Sequence, residues 1–335
     1  MKGHKNMEYV LSIILLLVGF VLLVKGADFF VSSSASIARK FNVSPLVIGL
    51  TLVAFGTSLP ELAVSFVASL TVAPGATADI AMGNVVGSNI ANIALILGLT
   101  AVTKPVLSSK SMRTKEFPLL IISTLLILVF SVWFQSTTMI VWWEALILLF
   151  AFMVYIIVMI KSGQQTEDIE SIPLLNPKKA IVLLIIGLAG VTLGGYMVTE
   201  GASSLATNVL VSIFSMTETK AITLIGLTVV AVGTSLPEMV TSVVAAKKGE
   251  NEIAFGNLVG SNIFNVLFIV GLSGLVTPLG INADVIIDLW LLLGIVVVAV
   301  VFAISKSVIN KKEGFTLILL YVAYIIYIVF RAFNG

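Results

Sequence analysis

Cysteine is absent from this chain and histidine occurs once, which removes several chemistries at the outset. Disulfides, thiolate metal centres and cysteine nucleophiles are excluded together. The single imidazole, His4, stands in a hydrophilic tail, so no apolar run offers one for a proton relay or a metal. Charge is scarce as well: 11% of residues are Asp, Glu, Lys or Arg, against roughly a quarter in soluble domains. A net charge of +2 is too small to suggest a nucleic-acid partner, and no cluster of Lys and Arg interleaves with aromatics.

What remains is apolar. Hydrophobic residues make up 59% of the 335 and the mean hydropathy is +1.14, a composition that belongs in a lipid bilayer. Crossing a hydrocarbon core of about 30 Å takes roughly 20 helical residues. Ten runs qualify, over residues 8–32, 43–70, 79–102, 116–134, 138–160, 180–211, 221–246, 252–276, 284–304 and 314–332. The first is too long for a signal-peptide core and lacks a small-residue cleavage pattern, so it is expected to be retained. The fold class expected is an all-α polytopic membrane protein.

Threading ten spans alternately places 14 of the 19 Lys and Arg on one side, among them Arg39, Lys104, Arg113, Lys178 and Lys247. That bias makes the side cytoplasmic and puts both termini outside the cell membrane. The polar stretch 161–179 then reads as a cytoplasmic linker between halves 1–160 and 180–335. Its acidic residues Glu167, Asp168 and Glu170 read as solvated charge, because carboxylates without ordered flanking oxygens hold a hard cation poorly.

The two halves repeat one another. IGLTLVAFGTSLPE from Ile48 matches IGLTVVAVGTSLPE from Ile225 at twelve of fourteen positions, and GNVVGSNIANIALILGL from Gly83 matches GNLVGSNIFNVLFIVGL from Gly256 at eleven of seventeen. Five spans per half is an odd number, so the second copy enters the membrane from the opposite face. The result is a pair of inverted five-helix repeats whose equivalent residues converge at mid-depth. The best-matched positions are polar ones within lipid-spanning helices, which argues against a merely structural duplication.

Glu61 and Glu238 lie near the midpoints of the second and seventh runs. An ionisable group there costs at least about 2.5–3.5 kcal/mol, so it faces a cavity or a partner. No basic residue shares that depth, which leaves protons or a bound cation to neutralise the pair. Asp28 and Glu200 are placed near span ends, Asp79, Glu250 and Glu252 in loops, and Glu144 after the interfacial pair Trp142 and Trp143. Lys25 and Asp28 are expected to snorkel.

Oxygen ligands surround each glutamate. Pro60 cannot donate to Gly56 and should kink its helix, exposing carbonyls from Ala54 to Thr57, and Pro237 should do the same for Ala231 to Thr234. Thr57 with Glu61, Thr234 with Glu238, Ser88 with Asn92 and Ser261 with Asn265 are each four apart, hence on one helical face. A cage of hydroxyl, amide and carboxylate oxygen without sulfur or imidazole favours calcium, sodium or magnesium over zinc or copper. Gly83, Gly87, Gly256 and Gly260 read as packing glycines, and Asn89 and Asn262, on another face, as braces for backbone.

The paired GTSLPE and GSNIxN segments resemble the two alpha-repeats of the cation/calcium antiporter superfamily, and most closely its prokaryotic sodium/calcium exchangers. The resemblance covers nearly the whole chain. It implies ten helices, transported Ca2+ and Na+, and alternating access with the first and sixth helices sliding across the core. Glu61 and Glu238 then resemble ligands shared by both ions. Thr57, Ser58, Thr234 and Ser235, with the carbonyls of Ala54 and Ala231, resemble parts of flanking sodium sites that Ser88 and Ser261 complete, while Asn92 and Asn265 line the centre. Asn265 stands where the potassium-dependent branch carries an acid, which disfavours potassium co-transport. The proton-coupled branch usually shows a GN-type motif around its glutamates, which disfavours proton coupling.

Two ionised glutamates are neutralised by one Ca2+ or two Na+, and a third Na+ would make exchange voltage-sensitive. A calcium/proton antiporter on the same glutamates and a cation channel stay open as alternatives. An intramembrane protease is disfavoured, since no nucleophile and base pair off within the bilayer. Nothing calls for a cofactor or an obligate protein partner other than the lipid bilayer.

Overall fold

A chain this apolar must satisfy its backbone polar groups internally wherever lipid surrounds it, and helices do so segment by segment. The computed structural model describes residues 2–73, 77–133, 139–162, 175–212 and 231–334, and it is helical almost throughout. The helices are α1 (Lys2–Lys40), α2 (Pro45–Thr57), α3 (Leu59–Thr71), α4 (Asp79–Thr103), α5 (Met112–Val132), α6 (Trp142–Ser162) and α7 (Pro177–Ser212). They continue as α8 (Ala231–Thr234), α9 (Leu236–Lys248), α10 (Asn251–Val276), α11 (Ala283–Ser305) and α12 (Lys311–Asn334). Among the described residues eight helices are long and apolar enough to cross a membrane, and nine if the bent pair α2 and α3 counts as one span. The seventh expected run is described only from Ala231 onward, and Glu167, Asp168 and Glu170 lie outside the described residues.

Most boundaries fall within a few residues of the expected runs, with two instructive departures. The second run is two helices meeting at a 50° bend. Ser58 sits at the break (φ −84, ψ 9), and Pro60 occupies the first turn of α3, where its missing N–H costs nothing. The first run is longer than its apolar core and continues to Lys40. Asp28 is therefore about three turns inside α1, and it pairs with Lys248 (Oδ1 to Nζ, 2.7 Å) instead of snorkelling beside a span end. Glu250 lies between helices, as expected, 3.6 Å from Arg39. Burial is the main influence raising its carboxyl above the usual range, and the Arg39 guanidinium opposes it.

Burial separates centre from periphery. In α4 and α10, 78% of the spanning residues are enclosed, against 22–28% in α1, α6, α7 and α12, whose large apolar side chains cover the surface that lipid would contact. The two central helices carry the GN and GSN segments of the repeat.

Close helix approach depends on glycine, as two of several crossings show. A Cβ on Gly187 of α7 would sit 2.5 Å from the Phe30 backbone nitrogen of α1, and one on Gly260 of α10 would sit 2.5 Å from the Leu50 carbonyl oxygen of α2. The packing expected of Gly256 and Gly260 is thus observed. Gly83 and Gly87 meet nothing within 4 Å among the described residues; of the second-copy segment equivalent to α2, all but α8 falls outside them.

Two short antiparallel ladders join early to late chain. Strand β1 (Val106–Leu107) pairs with β4 (Val308–Ile309), and β2 (Met139–Ile140) pairs with β3 (Leu279–Gly280).

Candidate functional site

The break at Ser58 ends α2 and starts α3, so the side chain of Ser58 leaves the helical ladder and points across the molecule. Its hydroxyl donates to Glu238 Oε1 at 2.8 Å. The second copy has the same geometry at Ser235 (φ −88, ψ 6), whose hydroxyl donates to Glu61 Oε1 at 3.1 Å. Each carboxylate is held by the serine of the other copy. Ser261 adds a longer bond to Glu238 Oε1, 3.4 Å. Both glutamates are fully enclosed, at 0% exposure.

One oxygen of each glutamate is spoken for, and the other is not. Glu61 Oε2 and Glu238 Oε2 lack a hydrogen-bond partner among the described residues, as do both amide atoms of Asn92 and Oδ1 of Asn265. Buried polar atoms are paired as a rule, so a concentration of unpaired oxygens asks for a ligand that supplies positive charge. None comes from the described residues, whose ion pairs involve other acids. No group of three or more Asp, Glu or His gathers among those residues either, so neutral oxygens must complete any shell around the two carboxylates. Such a set suits a hard cation that accepts six to eight oxygens.

Both central helices widen into a π-helical stretch, Ala91–Ile96 in α4 and Asn265–Ile269 in α10. Such bulges interrupt the regular ladder and recur at functional sites. Asn92 and Asn265 lie in these stretches.

The other expected ligands are placed unequally. Ser88 turns its hydroxyl back to the Asn84 carbonyl (2.8 Å), whereas its counterpart Ser261 reaches Glu238. Thr57 is buried and donates toward Val53 O (3.1 Å) or Asn257 Oδ1 (3.0 Å). The Ala54 carbonyl accepts the Ser58 amide at 3.0 Å, so it is engaged where the kink was expected to expose it, while the Ser235 amide bonds Val232 O at 3.2 Å. Ala231 and Thr234 bound the short helix α8, with Thr234 half-buried. Asn89 and Asn262 do brace backbone, donating to Asn262 O (3.2 Å) and Leu258 O (2.8 Å) respectively, and Asn265 in turn donates to Asn89 Oδ1 (3.1 Å).

Four residues of this neighbourhood escaped the sequence reading: Asn84, Asn257, Ser65 and Ser242. Asn84 bonds the Glu61 carbonyl and Ser65, and Asn257 bonds the Glu238 carbonyl and Ser242. The signal was present, since Asn84–Ser88–Asn92 and Asn257–Ser261–Asn265 form four-residue stripes, but the neighbouring glycines drew the packing interpretation.

Several known proteins are similar to this chain. The family model described as sodium/calcium exchanger protein matches residues 11–161 and 179–330. The sodium/calcium exchanger MaX1 of Methanosarcina acetivorans is 34% identical, covering 94% of this chain and 97% of that protein. The inner membrane protein YrbG of Escherichia coli is 35% identical, covering 80% and 81%. The solved structure of the sodium-calcium exchanger NCX_Mj soaked with zero Na+ and Ca2+ gives a TM-score of 0.79 at 32% identity, covering 95% of this chain and 99% of that one.

Proposed function

The chain belongs to the sodium/calcium exchanger family, and from that footing we propose that it exchanges Ca2+ for Na+ by alternating access at one shared site between Glu61 and Glu238. The observation that carries this reading is the pair of enclosed carboxylates, each fixed through one oxygen by the opposite copy's serine and open through the other. Thr57, Ser58, Ser88, Asn92 and the Ala54 carbonyl from the first copy, with Thr234, Ser235, Ser261, Asn265 and the Ala231 carbonyl from the second, supply the remaining oxygens.

Competition for the same oxygens couples the two ions. Empty, the site holds two negative charges that cannot cross a low-dielectric barrier cheaply; filled by one Ca2+ or two Na+, it is neutral. The carrier therefore changes its facing when loaded and stays put when empty. The reciprocal serine bonds and the early-to-late strand pairs support two inverted five-helix repeats, residues 1–160 and 180–335, and the bias of Lys and Arg supports a cytoplasmic linker at 161–179 with both termini outside.

The decisive experiment reconstitutes the protein in liposomes and imposes sodium, potassium and proton gradients in turn at otherwise fixed conditions. Ca2+ uptake driven by outward sodium alone is the expected result. Uptake driven by protons and indifferent to sodium would convert the assignment to calcium/proton antiport, and conduction without counter-transport would make it a channel.

A further inference from the structure

In the exchange reading, the glutamates and the Ser–Asn stripes must stand at a fixed separation, yet they lie on different helices. Glu61 is in α3 and Ser88 in α4; Glu238 is in α9 and Ser261 in α10. We infer that Asn84 and Asn257 are the positioning residues that set this separation, and thereby the size and affinity of the cation cavity. The inference rests on the exchange reading but concerns residues that carry no ion themselves.

The geometry is the same in both copies. The Asn84 amide donates one hydrogen to the Glu61 carbonyl (3.1 Å) and the other to Ser65 Oγ (2.9 Å). The Asn257 amide donates to the Glu238 carbonyl (3.4 Å) and to Ser242 Oγ (3.0 Å). Each carboxamide thus grips two points of the glutamate helix one turn apart, which fixes both its rotation and its height against the neighbouring helix. A carboxamide has two N–H donors, and both are committed. The orientation is fixed too: Asn257 Oδ1 accepts from Thr57 Oγ1 at 3.0 Å, so flipping the amide would set an oxygen against the Glu238 carbonyl. Through that bond Asn257 also ties the second copy's glutamate helix to α2 of the first.

Position on the stripe completes the case. Asn84 is one turn before Ser88 and two before Asn92, and Ser88 bonds back to the Asn84 carbonyl (2.8 Å). Ser65, Ser242 and Asn257 are fully enclosed, where a lost partner is not replaced by water. Residues that orient ligands from behind in this way change metal affinity when removed.

The test uses the full-length protein in detergent and in liposomes, with Ca2+ and Sr2+ as probes, and four variants: Asn84→Ala, Asn257→Ala, Ser65→Ala and Ser242→Ala. Ion-dependent thermal stabilisation gives binding, and sodium-driven uptake gives half-saturation. The asparagine variants are expected to raise the Ca2+ half-saturation by about 10-fold or more and to change the preference between Ca2+ and the larger Sr2+. The serine variants, which keep the carbonyl bond, should shift both in the same direction by less, and they decide the matter if an asparagine variant fails to insert. Unchanged half-saturation and an unchanged Ca2+ to Sr2+ ratio, with only melting temperature or maximal rate reduced, would overturn the inference and leave exchange standing. Absence of Ca2+ binding by the unaltered protein would instead sink the exchange reading.

Discussion

Ser58 Oγ lies 2.8 Å from Glu238 Oε1 although 180 positions separate the two residues. The serine occupies a break between helices of the first copy, and the glutamate the first turn of a helix in the second. Because Ser235 returns the same bond to Glu61, neither carboxylate keeps its orientation without the other copy. This reciprocity couples the two acids structurally.

Replacing either carboxylate with its neutral isostere should end transport while sparing the fold. Glu61→Gln or Glu238→Gln keeps the shape but halves the charge available to a divalent ion, and Ca2+ uptake by everted vesicles is expected to fall to background. Near-normal exchange in either variant, at normal insertion, would remove the central assignment.

The serine bonds should matter in graded fashion. A hydrogen bond to a charged group contributes about 1.5–3 kcal/mol, so Ser58→Ala or Ser235→Ala is expected to raise the Ca2+ half-saturation by roughly 10-fold to 100-fold. The double variant should cost less than the sum of the two, since both bonds serve one pocket. Strict additivity in the measured half-saturations would mean that the two bonds act independently.

The ion pair between Asp28 and Lys248 gives a contrasting expectation. Its carboxylate side chain is 48% exposed, and exposed pairs contribute less than about 1 kcal/mol. Asp28→Asn should lower the melting temperature only slightly and leave Ca2+ half-saturation alone. A large shift in either quantity would show that α1 bears on the site.

Close packing of α1 against α7 predicts a strong size limit at Gly187. Adding a methyl group 2.5 Å from the Phe30 nitrogen forces backbone apart, and such overpacking costs about 1–3 kcal/mol. Gly187→Ala is expected to melt well below the unaltered protein in detergent; an unchanged melting temperature would contradict so close a crossing of the two helices.

Much of this site could be read from residue types and spacing. The acids stood out because charge is rare inside apolar runs, and the break near Pro60 because proline cannot continue a ladder. Direction was harder. Helical spacing places Ser58 one residue off the Thr57–Glu61 face, so nothing local reveals that it serves the opposite glutamate. Ser88 and Ser261 share a phase and yet one turns to its own backbone and the other to a carboxylate, a choice made by neighbours in space. The continuation of α1 to Lys40 was hidden because hydropathy stops at the charged residues while the helix does not. Strands of two residues, such as Val106–Leu107, carry no periodicity to detect.

Those two-residue ladders have a mechanical meaning. β1 with β4 and β2 with β3 stitch the connections flanking α5 and α11, so α4 to α6 and α10 to α12 are riveted into a single frame. Each ladder thus fastens an early connection to a late one. In the exchange reading, α1 and α7, which neither ladder touches, are the pair expected to slide against that frame.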